Sequence, residues 1–144
     1  MGTNTDAVLD IYAAFGRGDV ADILDRLSDD IRWDEGLRPM QVPYLRAGSG
    51  KAHVLEFFQA LSSTLEFTTF EPGAPCAAQD TVMVAVREAG RNLVTGLPLA
   101  DDVTVHIWTF APDGKVASFR HVGDFAIHEA AAGVGVSTTA PASR

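Results

Sequence analysis

The sequence predicts an α+β fold in which helices cover one face of a mainly antiparallel sheet. Up to Leu61 the apolar residues recur at helical spacing, and from Leu65 onward β-branched and aromatic residues alternate with polar ones. A Pro-Asp-Gly turn joins the last two strands into a hairpin. A strongly curved sheet that wraps three N-terminal helices makes a cone-shaped barrel, and its apolar interior is a natural site for a small molecule.

Three helices precede the sheet. The first has an apolar face that ends before Gly16, and the second follows with Asp19 as its predicted N-cap, so both lie within 5–28. The third helix begins after Ser49 and repeats the same spacing. The apolar face of the first helix consists of Val8, Ile11, Tyr12 and Phe15, and that of the second of Val20, Ile23, Leu24 and Leu27. The face of the third helix consists of Val54, Phe57, Phe58 and Leu61.

The strands are predicted from alternation and from their β-branched and aromatic content. A short strand at 31–35 precedes a loop at 36–49, which contains two prolines and two glycines. The small and polar residues at 133–144 predict a flexible C-terminal tail after a single domain at 1–132. Further strands are predicted at 65–70, 81–87, 93–97, 102–111 and 115–125.

Composition disfavours several functional classes. The formal net charge of −8 over 144 residues disfavours binding to nucleic acid and to anionic membranes, because both need a basic surface. The single cysteine, Cys76, excludes an internal disulfide framework. No apolar run approaches the ~20 residues that span a bilayer, and the N-terminus has no signal segment, so we expect a cytoplasmic protein.

The hairpin formed by the last two strands decides which polar side chains face the interior. Its three-residue loop predicts a register in which His106 lies opposite Arg120, with His121 on the other face. A slip of one residue, or a bulge, would instead pair His106 with His121 and turn Phe119 inward. In the first register the residues that share the inner face are His106, Trp108, Arg120 and Asp124.

Two residues on that inner face could perform acid–base chemistry. Asp124 has apolar neighbours, and a carboxylate in apolar surroundings has a raised pKa that suits a general base. Its alternative role is to cap a turn at the end of the strand. His106 could donate a hydrogen bond to a developing oxyanion, or it could be a half-buried structural histidine.

The end of the first strand adds an acidic pair, Asp34 and Glu35. Because side chains alternate along a strand, Glu35 points inward if Trp33 does, and Asp34 then points to solvent. The alternative is that both carboxylates are solvated. The four histidines show no metal-ligand spacing, and the chain has no phosphate-binding loop or nucleophile elbow, so we expect neither a metal nor a cofactor.

Several segments, in this order, resemble the nuclear transport factor 2-like superfamily, and within it the SnoaL-like and ketosteroid-isomerase-related proteins. The resemblance covers roughly 5–131. It implies a cone-shaped α+β barrel that often forms a homodimer through the outer face of its sheet. The segments are GRGDVADILDRLSDDIRW at 16–33, PYLRAGSGKAHVLEFFQAL at 43–61, the Thr95-Gly96 pair, and VHIWTFAPDGKVASFRHVGDF at 105–125.

The resemblance also implies roles for particular residues. In the polyketide-cyclase members an aspartate at the Asp124 position is the base, and a histidine at the His106 position lines the pocket. In the steroid-isomerase members the base falls near Glu35. Their oxyanion tyrosine falls on Ile11, with Tyr12 next to it, so this chain departs from the steroid-isomerase pattern at that position.

We therefore predict a pocket for a small hydrophobic molecule in a cofactor-independent isomerase or cyclase, with Asp124 as base and His106 as hydrogen-bond donor. Glu35 is a further catalytic candidate. The alternatives are a non-catalytic ligand-binding or dimerisation module, and an epoxide-hydrolase-like enzyme in which Asp34 or Glu35 meets Asp124. The residues expected to contact the substrate are Trp33, Tyr12, Phe15, Phe57, Phe58, Trp108 and Arg120.

Overall fold

The structure is a computed structural model that describes residues 3–134. Within that range it contains four helices and seven strands. The helices are α1 (Asn4–Gly16), α2 (Val20–Asp25), α3 (Lys51–Thr64) and α4 (Phe125–Ala131). The strands are β1 (Leu27–Trp33), β2 (Gly48–Ser49), β3 (Leu65–Pro72), β4 (Cys76–Ala78), β5 (Thr81–Asn92), β6 (Pro98–Phe110) and β7 (Val116–Val122).

The strands form one curved, unclosed sheet. Its order is β2-β1-β7-β6-β5-β3, and β4 also pairs with β5. In the part of the chain that is described, β1 and β7 pair in parallel and the other pairs are antiparallel. The predicted α+β class, with a mainly antiparallel curved sheet around N-terminal helices, is therefore confirmed.

The core lies between the helices and one face of the sheet. Burying a large apolar side chain is worth about 1.5–3 kcal/mol, so this interface holds the helices against the strands. Hydrophobic spacing in the sequence predicts most of the faces that pack. Helix α1 buries Val8, Ile11 and Ala14, and helix α3 buries Val54, Phe57 and Leu61. Strand β5 buries Val82, Val84, Val86 and Glu88.

The β6–β7 ladder follows the first predicted register only next to the turn. It shifts by one residue at Ala117, and beyond this bulge His106 pairs with His121 instead of Arg120. The prediction that His106 and Arg120 share a face is wrong, because one extra residue reverses the faces of every position that follows it. The pairs on the two sides of the bulge are Phe110 with Val116 and Thr109 with Ser118.

Side-chain alternation also breaks at the end of β1. Asp34 has a φ of +53°, a left-handed conformation that aspartate adopts more readily than most residues. As a result Trp33 and Asp34 are both buried, and Glu35 is exposed. The prediction that Glu35 points inward with Trp33 is wrong, because the turn at Asp34 ends the strand before Glu35.

The segment at 93–97 is a turn and not the strand that we predicted. The side chain of Asn92 holds it, since Asn92 Oδ1 accepts hydrogen bonds from the backbone nitrogens of Val94 at 2.9 Å and Thr95 at 3.0 Å. Asparagine often organises a turn in this way, by accepting from backbone groups two or three residues on. The turn connects β5 directly to its antiparallel neighbour β6.

The strand predicted at 115–125 ends earlier, at Val122, and a fourth helix follows that we did not predict. Asp124 is its N-cap, with Oδ1 accepting a hydrogen bond from the backbone nitrogen of Ala126 at 3.1 Å. This is the capping role that was the alternative interpretation of Asp124. Of the predicted tail, residues 135–144 lie outside the described range.

A close approach between β3 and β5 requires glycine at position 90. Gly90 pairs with Phe67, and a Cβ atom at Gly90 would clash with the backbone oxygen of Glu66. The ladders on both sides of β5 are irregular here, between Phe67 and Thr69 on β3 and between Glu88 and Gly90 toward β6. This bend lies beside Glu88, whose side chain belongs to the functional site described below.

Gly90→Ala should therefore lower the free energy of unfolding by about 1–3 kcal/mol, the usual cost of forcing extra volume into a packed region. Urea unfolding of the two proteins measures this change. Gly16→Ala is the matched control, because a Cβ atom there meets nothing within 4 Å; stability should stay the same or rise by up to about 1 kcal/mol. Equal unfolding midpoints for Gly90→Ala and the wild type would contradict the steric argument.

Candidate functional site

An aromatic cavity of about 60 Å³ lies between the helices and the sheet. Six of the seven predicted wall residues line it, and Arg120 does not. The side chains that line it are Ile11, Tyr12, Phe15, Ile23, Trp33, Tyr44, Leu45, Phe57, Phe58, Leu61, Phe67, Phe70, Glu88, Thr104, His106, Trp108, Phe119, His121, Phe125 and His128. The interior is therefore mainly apolar, with a few polar groups concentrated at two places.

The first polar group joins Asp34 to His121. Asp34 Oδ2 accepts a hydrogen bond from His121 Nδ1 at 2.8 Å, and Oδ1 accepts one from the His121 backbone nitrogen at 2.7 Å. The Asp34 side chain is 1% exposed and that of His121 is 15% exposed. Because Nδ1 carries the proton that the carboxylate binds, Nε2 of His121 holds the free lone pair.

His106 lies beside this pair and has different partners. Its ring centre is 5.0 Å from that of His121, and the two rings are perpendicular. Trp108 Nε1 donates a hydrogen bond to the Tyr12 hydroxyl at 3.1 Å, and that hydroxyl donates to His106 Nδ1 at 2.8 Å. The proton of a neutral His106 is therefore on Nε2.

Burial keeps His106 in the neutral form. Desolvation lowers the pKa of His106 well below its usual value, and the positive charge of a protonated His121 lowers it further. Burial also raises the pKa of Tyr12, so this hydroxyl keeps its proton. The cavity thus combines an imidazole with a free lone pair, on His121, and a neutral imidazole with an available N–H, on His106.

A second polar group lies at the other end of the cavity. The Tyr44 hydroxyl contacts His128 Nδ1 at 2.7 Å, and His128 Nε2 lies 3.3 Å from Glu88 Oε1. The side chains of His128 and Glu88 are 13% and 10% exposed. These three residues come from the loop before β2, from α4 and from β5, so tertiary packing alone brings them together.

Half-buried phenylalanines separate the cavity from an open groove of about 520 Å³ on the protein surface. Phe15, Phe58 and Phe67 line both spaces. The cavity is smaller than the ~150 Å³ of a dry cavity that takes benzene. A ring-containing ligand therefore has to displace these side chains, which makes them the natural point of access.

The three charged residues that we predicted for the site lie outside the cavity. Asp124 is exposed and caps α4, so the expected convergence of Asp124 and His106 in the cavity is wrong. Arg120 and Glu35 are exposed and line an open groove of about 320 Å³, which His121 also borders. The bulge in β7 and the left-handed turn at Asp34 cause these differences.

Sequence reasoning missed four polar residues of the wall, and two of them carried a signal. The four are Tyr44, Glu88, Thr104 and His128. Glu88 continues the inward alternation of the valines in β5, and His128 follows Asp124 by one helical turn. Asp34 was placed on the solvent side by strict alternation. Tyr44 lies in a segment without periodicity, where the sequence gives no side-chain direction.

No built metal site is present between residues 3 and 134, where no group of three His, Cys, Asp or Glu side chains could hold an ion. The buried acids Asp34 and Glu88 each contact a histidine instead, Asp34 with His121 and Glu88 with His128. Among the helices in the described range, none is both long and apolar enough to cross a membrane.

Comparisons with known proteins identify a family and a fold. The family model described as a SnoaL-like domain matches residues 8–119. A solved NTF2-like protein from Burkholderia xenovorans is 28% identical, with a TM-score of 0.77 over 89% of this chain and 94% of that one. No curated protein matches the sequence.

Two further solved structures share the fold. TerC, co-crystallised with polyporic acid, is 24% identical, with a TM-score of 0.70 over 89% of this chain and 96% of its own. SalBIII, described as an epoxide hydrolase/cyclase-like enzyme with a role in pyran ring formation in the polyether salinomycin, is 21% identical, with a TM-score of 0.68 over 85% of this chain and 92% of its own.

The lowered pKa of His106 should make folding stability depend on pH. In the unfolded chain His106 gains a proton below about pH 6.5, whereas in the folded chain it stays neutral, so acid favours unfolding. Between pH 7.0 and 5.5 the wild type should lose about 1 kcal/mol more stability than His106→Gln, from a limiting slope of about 1.4 kcal/mol per pH unit. Urea unfolding at both pH values measures this, and equal losses would contradict it.

Proposed function

The chain belongs to the SnoaL-like domain family of the nuclear transport factor 2-like superfamily, and we propose that it is a cofactor-independent enzyme that moves a proton on a small hydrophobic carbonyl compound. The observation that carries this proposal is that His121, a residue of the aromatic cavity wall, donates a hydrogen bond to the buried carboxylate of Asp34. The reaction class is isomerisation or aldol-type cyclisation, because both begin with removal of a proton next to a carbonyl group.

His121 is the proposed base. Asp34 accepts hydrogen bonds from the ring Nδ1 and from the backbone nitrogen of His121. These two bonds fix the orientation of the His121 ring and leave its Nε2 lone pair to take the proton. The buried carboxylate of Asp34 then stabilises the imidazolium ion that forms, as the aspartate does in a catalytic triad. This arrangement gives His121 the role that the sequence analysis assigned to Asp124.

His106 is the proposed electrophile. When His121 removes a proton from the substrate, negative charge develops on the carbonyl oxygen, and a neutral His106 can donate the proton on Nε2 to that oxygen as a hydrogen bond. Tyr12 holds His106 Nδ1 at 2.8 Å and so selects the tautomer that makes this donation possible. The perpendicular rings place the base and the donor side by side.

The alternatives are supported to different degrees. A non-catalytic binding protein would use the same aromatic cavity, and the solved structure of TerC with polyporic acid supports an aromatic ligand on this fold. The epoxide-hydrolase-like alternative needs a second acid beside Asp124 in the cavity, and Asp124 is exposed at the start of α4. A dimerisation module without a ligand has no use for the cavity.

Exchange of the α-protons of 2-tetralone in D2O, followed by NMR, tests this proposal. The wild type should accelerate the exchange above the rate in buffer, and Asp34→Asn and His121→Gln should each reduce the enzymatic rate about 10²–10⁴-fold, the usual contribution of a general base. Asp124→Asn is the matched control, because asparagine also caps helices and the rate should not change. Loss of exchange in Asp124→Asn alone would assign the base to Asp124. Binding of the ketone without exchange would favour the non-catalytic alternative.

We also propose that the chain forms a homodimer through the outer face of its sheet. Met83, Val103 and Val122 lie on β5, β6 and β7, and they are 46%, 53% and 44% exposed. Apolar side chains gathered on one sheet face are suited to burial against a second copy. Analytical ultracentrifugation should give a dimer for the wild type and a monomer for Val103→Lys. Leu9→Lys, at a 45% exposed position on α1, should remain dimeric; a monomeric wild type would contradict the proposal.

A further inference from the structure

The second polar group of the cavity is a buried acid with few partners. Glu88 is 7% exposed as a whole residue. It lines the aromatic cavity and also borders a smaller cavity of about 10 Å³ beside α4. Its neighbour is His128, at 3.3 Å, and no hydrogen bond to its carboxylate comes from another residue in the described range. A carboxylate has about four acceptor positions, so a ligand donor can bind Glu88 without displacing His128.

The protons of this group can be assigned from its contacts. Burial and the negative charge of Glu88 raise the pKa of Tyr44, so its hydroxyl keeps a proton and donates it to His128 Nδ1 at 2.7 Å. The remaining ring proton of His128 is then on Nε2, the nitrogen that lies 3.3 Å from Glu88 Oε1. His128 therefore approaches the acid at one oxygen, and Tyr44 acts on it through His128.

We propose that Glu88 is a binding residue for a hydroxyl group at the far end of the substrate. The carboxylate lines the cavity with His128 at 3.3 Å, and a ligand hydroxyl can donate to it a hydrogen bond that no described residue supplies. The inference rests on the proposed function for the other end of the ligand, where His106 donates to the carbonyl oxygen and His121 removes the adjacent proton. The ligand class is a hydroxylated hydrophobic ketone, with oxygen atoms at opposite ends of an apolar frame.

The sheet register sets the size of this ligand. His106 pairs with Val84, and Glu88 lies four residues further along β5, or about 13 Å at ~3.3 Å per residue. Two hydrogen bonds of ~2.8 Å each take up nearly half of that length and leave about 7–8 Å for the molecule. Two fused six-membered rings match this length. Their entry requires Phe15, Phe58 and Phe67 to move, because the cavity of about 60 Å³ is too small for them as it stands.

Binding of three ketones, measured by titration calorimetry, tests the proposal: 2-tetralone, 6-hydroxy-2-tetralone and 6-methoxy-2-tetralone. The wild type should bind the hydroxylated ketone on the order of tenfold more tightly than 2-tetralone, the usual advantage of a hydrogen bond to a charged group. The methoxy compound cannot donate and should show no advantage. This comparison requires no variant and therefore does not depend on whether a mutant folds.

Glu88→Gln should reduce the advantage of the hydroxylated ketone to less than threefold. Because this advantage is a ratio of two affinities measured on the same variant, a general change of the cavity cancels from it. Glu66→Gln is the matched control, because Glu66 is an exposed acid on β3 paired with Arg91, and the advantage should remain. Equal affinity of the wild type for the hydroxylated and plain ketones, or absence of binding to the hydroxylated ketone, overturns the proposal.

The outcome is separable from that of the proposed function. Proton exchange on 2-tetralone depends on His121 and involves no hydroxyl group. If exchange occurs but the three ketones bind equally, Glu88 has no such role and the proposed base stands. If no exchange occurs and the advantage of the hydroxylated ketone disappears in Glu88→Gln, the Glu88 site stands and the catalytic proposal fails.

Discussion

One extra residue in β7, Ala117, determines which side chains of the hairpin reach the cavity. Val116 and Phe119 are 0% and 2% exposed although they are three positions apart, which strict alternation does not allow. The bulge removes this conflict, because it lets both large apolar side chains be buried. Each burial stabilises the fold by about 1.5–3 kcal/mol, and the ladder is interrupted only locally. His121, two positions after Phe119, is carried to the inner face as a consequence.

The contact between Asp34 and His121 depends in turn on where β1 ends. The backbone nitrogen of Asp34 donates to the Phe119 oxygen at 2.8 Å and continues the parallel pairing with β7. The left-handed turn at Asp34 then brings its carboxylate alongside β7, where Oδ1 accepts from the His121 nitrogen. One carboxylate therefore holds both the backbone and the ring of His121, so the geometry of the proposed base is built into the sheet.

Local pattern predicts the three N-terminal helices, most strands and the aromatic wall, because apolar spacing reports directly which face of an element is buried. It does not predict the bulge, which depends on burying both Val116 and Phe119 in the core. Nor does it predict the left-handed turn at Asp34, since the residue type permits that conformation without requiring it. The helix α4 carried a local signal, an aspartate followed by helix-forming residues, that competed with an extended interpretation of the same segment.

The corrected register also changes the electrostatics of the cavity. In the first register Asp124 would have faced the interior beside His106, and a nearby carboxylate raises the pKa of an imidazole and favours its charged form. With Asp124 on the surface, the side-chain hydrogen-bond partner of His106 among residues 3–134 is Tyr12, and burial lowers the pKa of His106. A neutral His106 matters for the proposed chemistry, because it can donate through Nε2 while its Nδ1 accepts from the Tyr12 hydroxyl. The hydrogen-bond donor of the proposed site therefore depends on Asp124 lying at the surface.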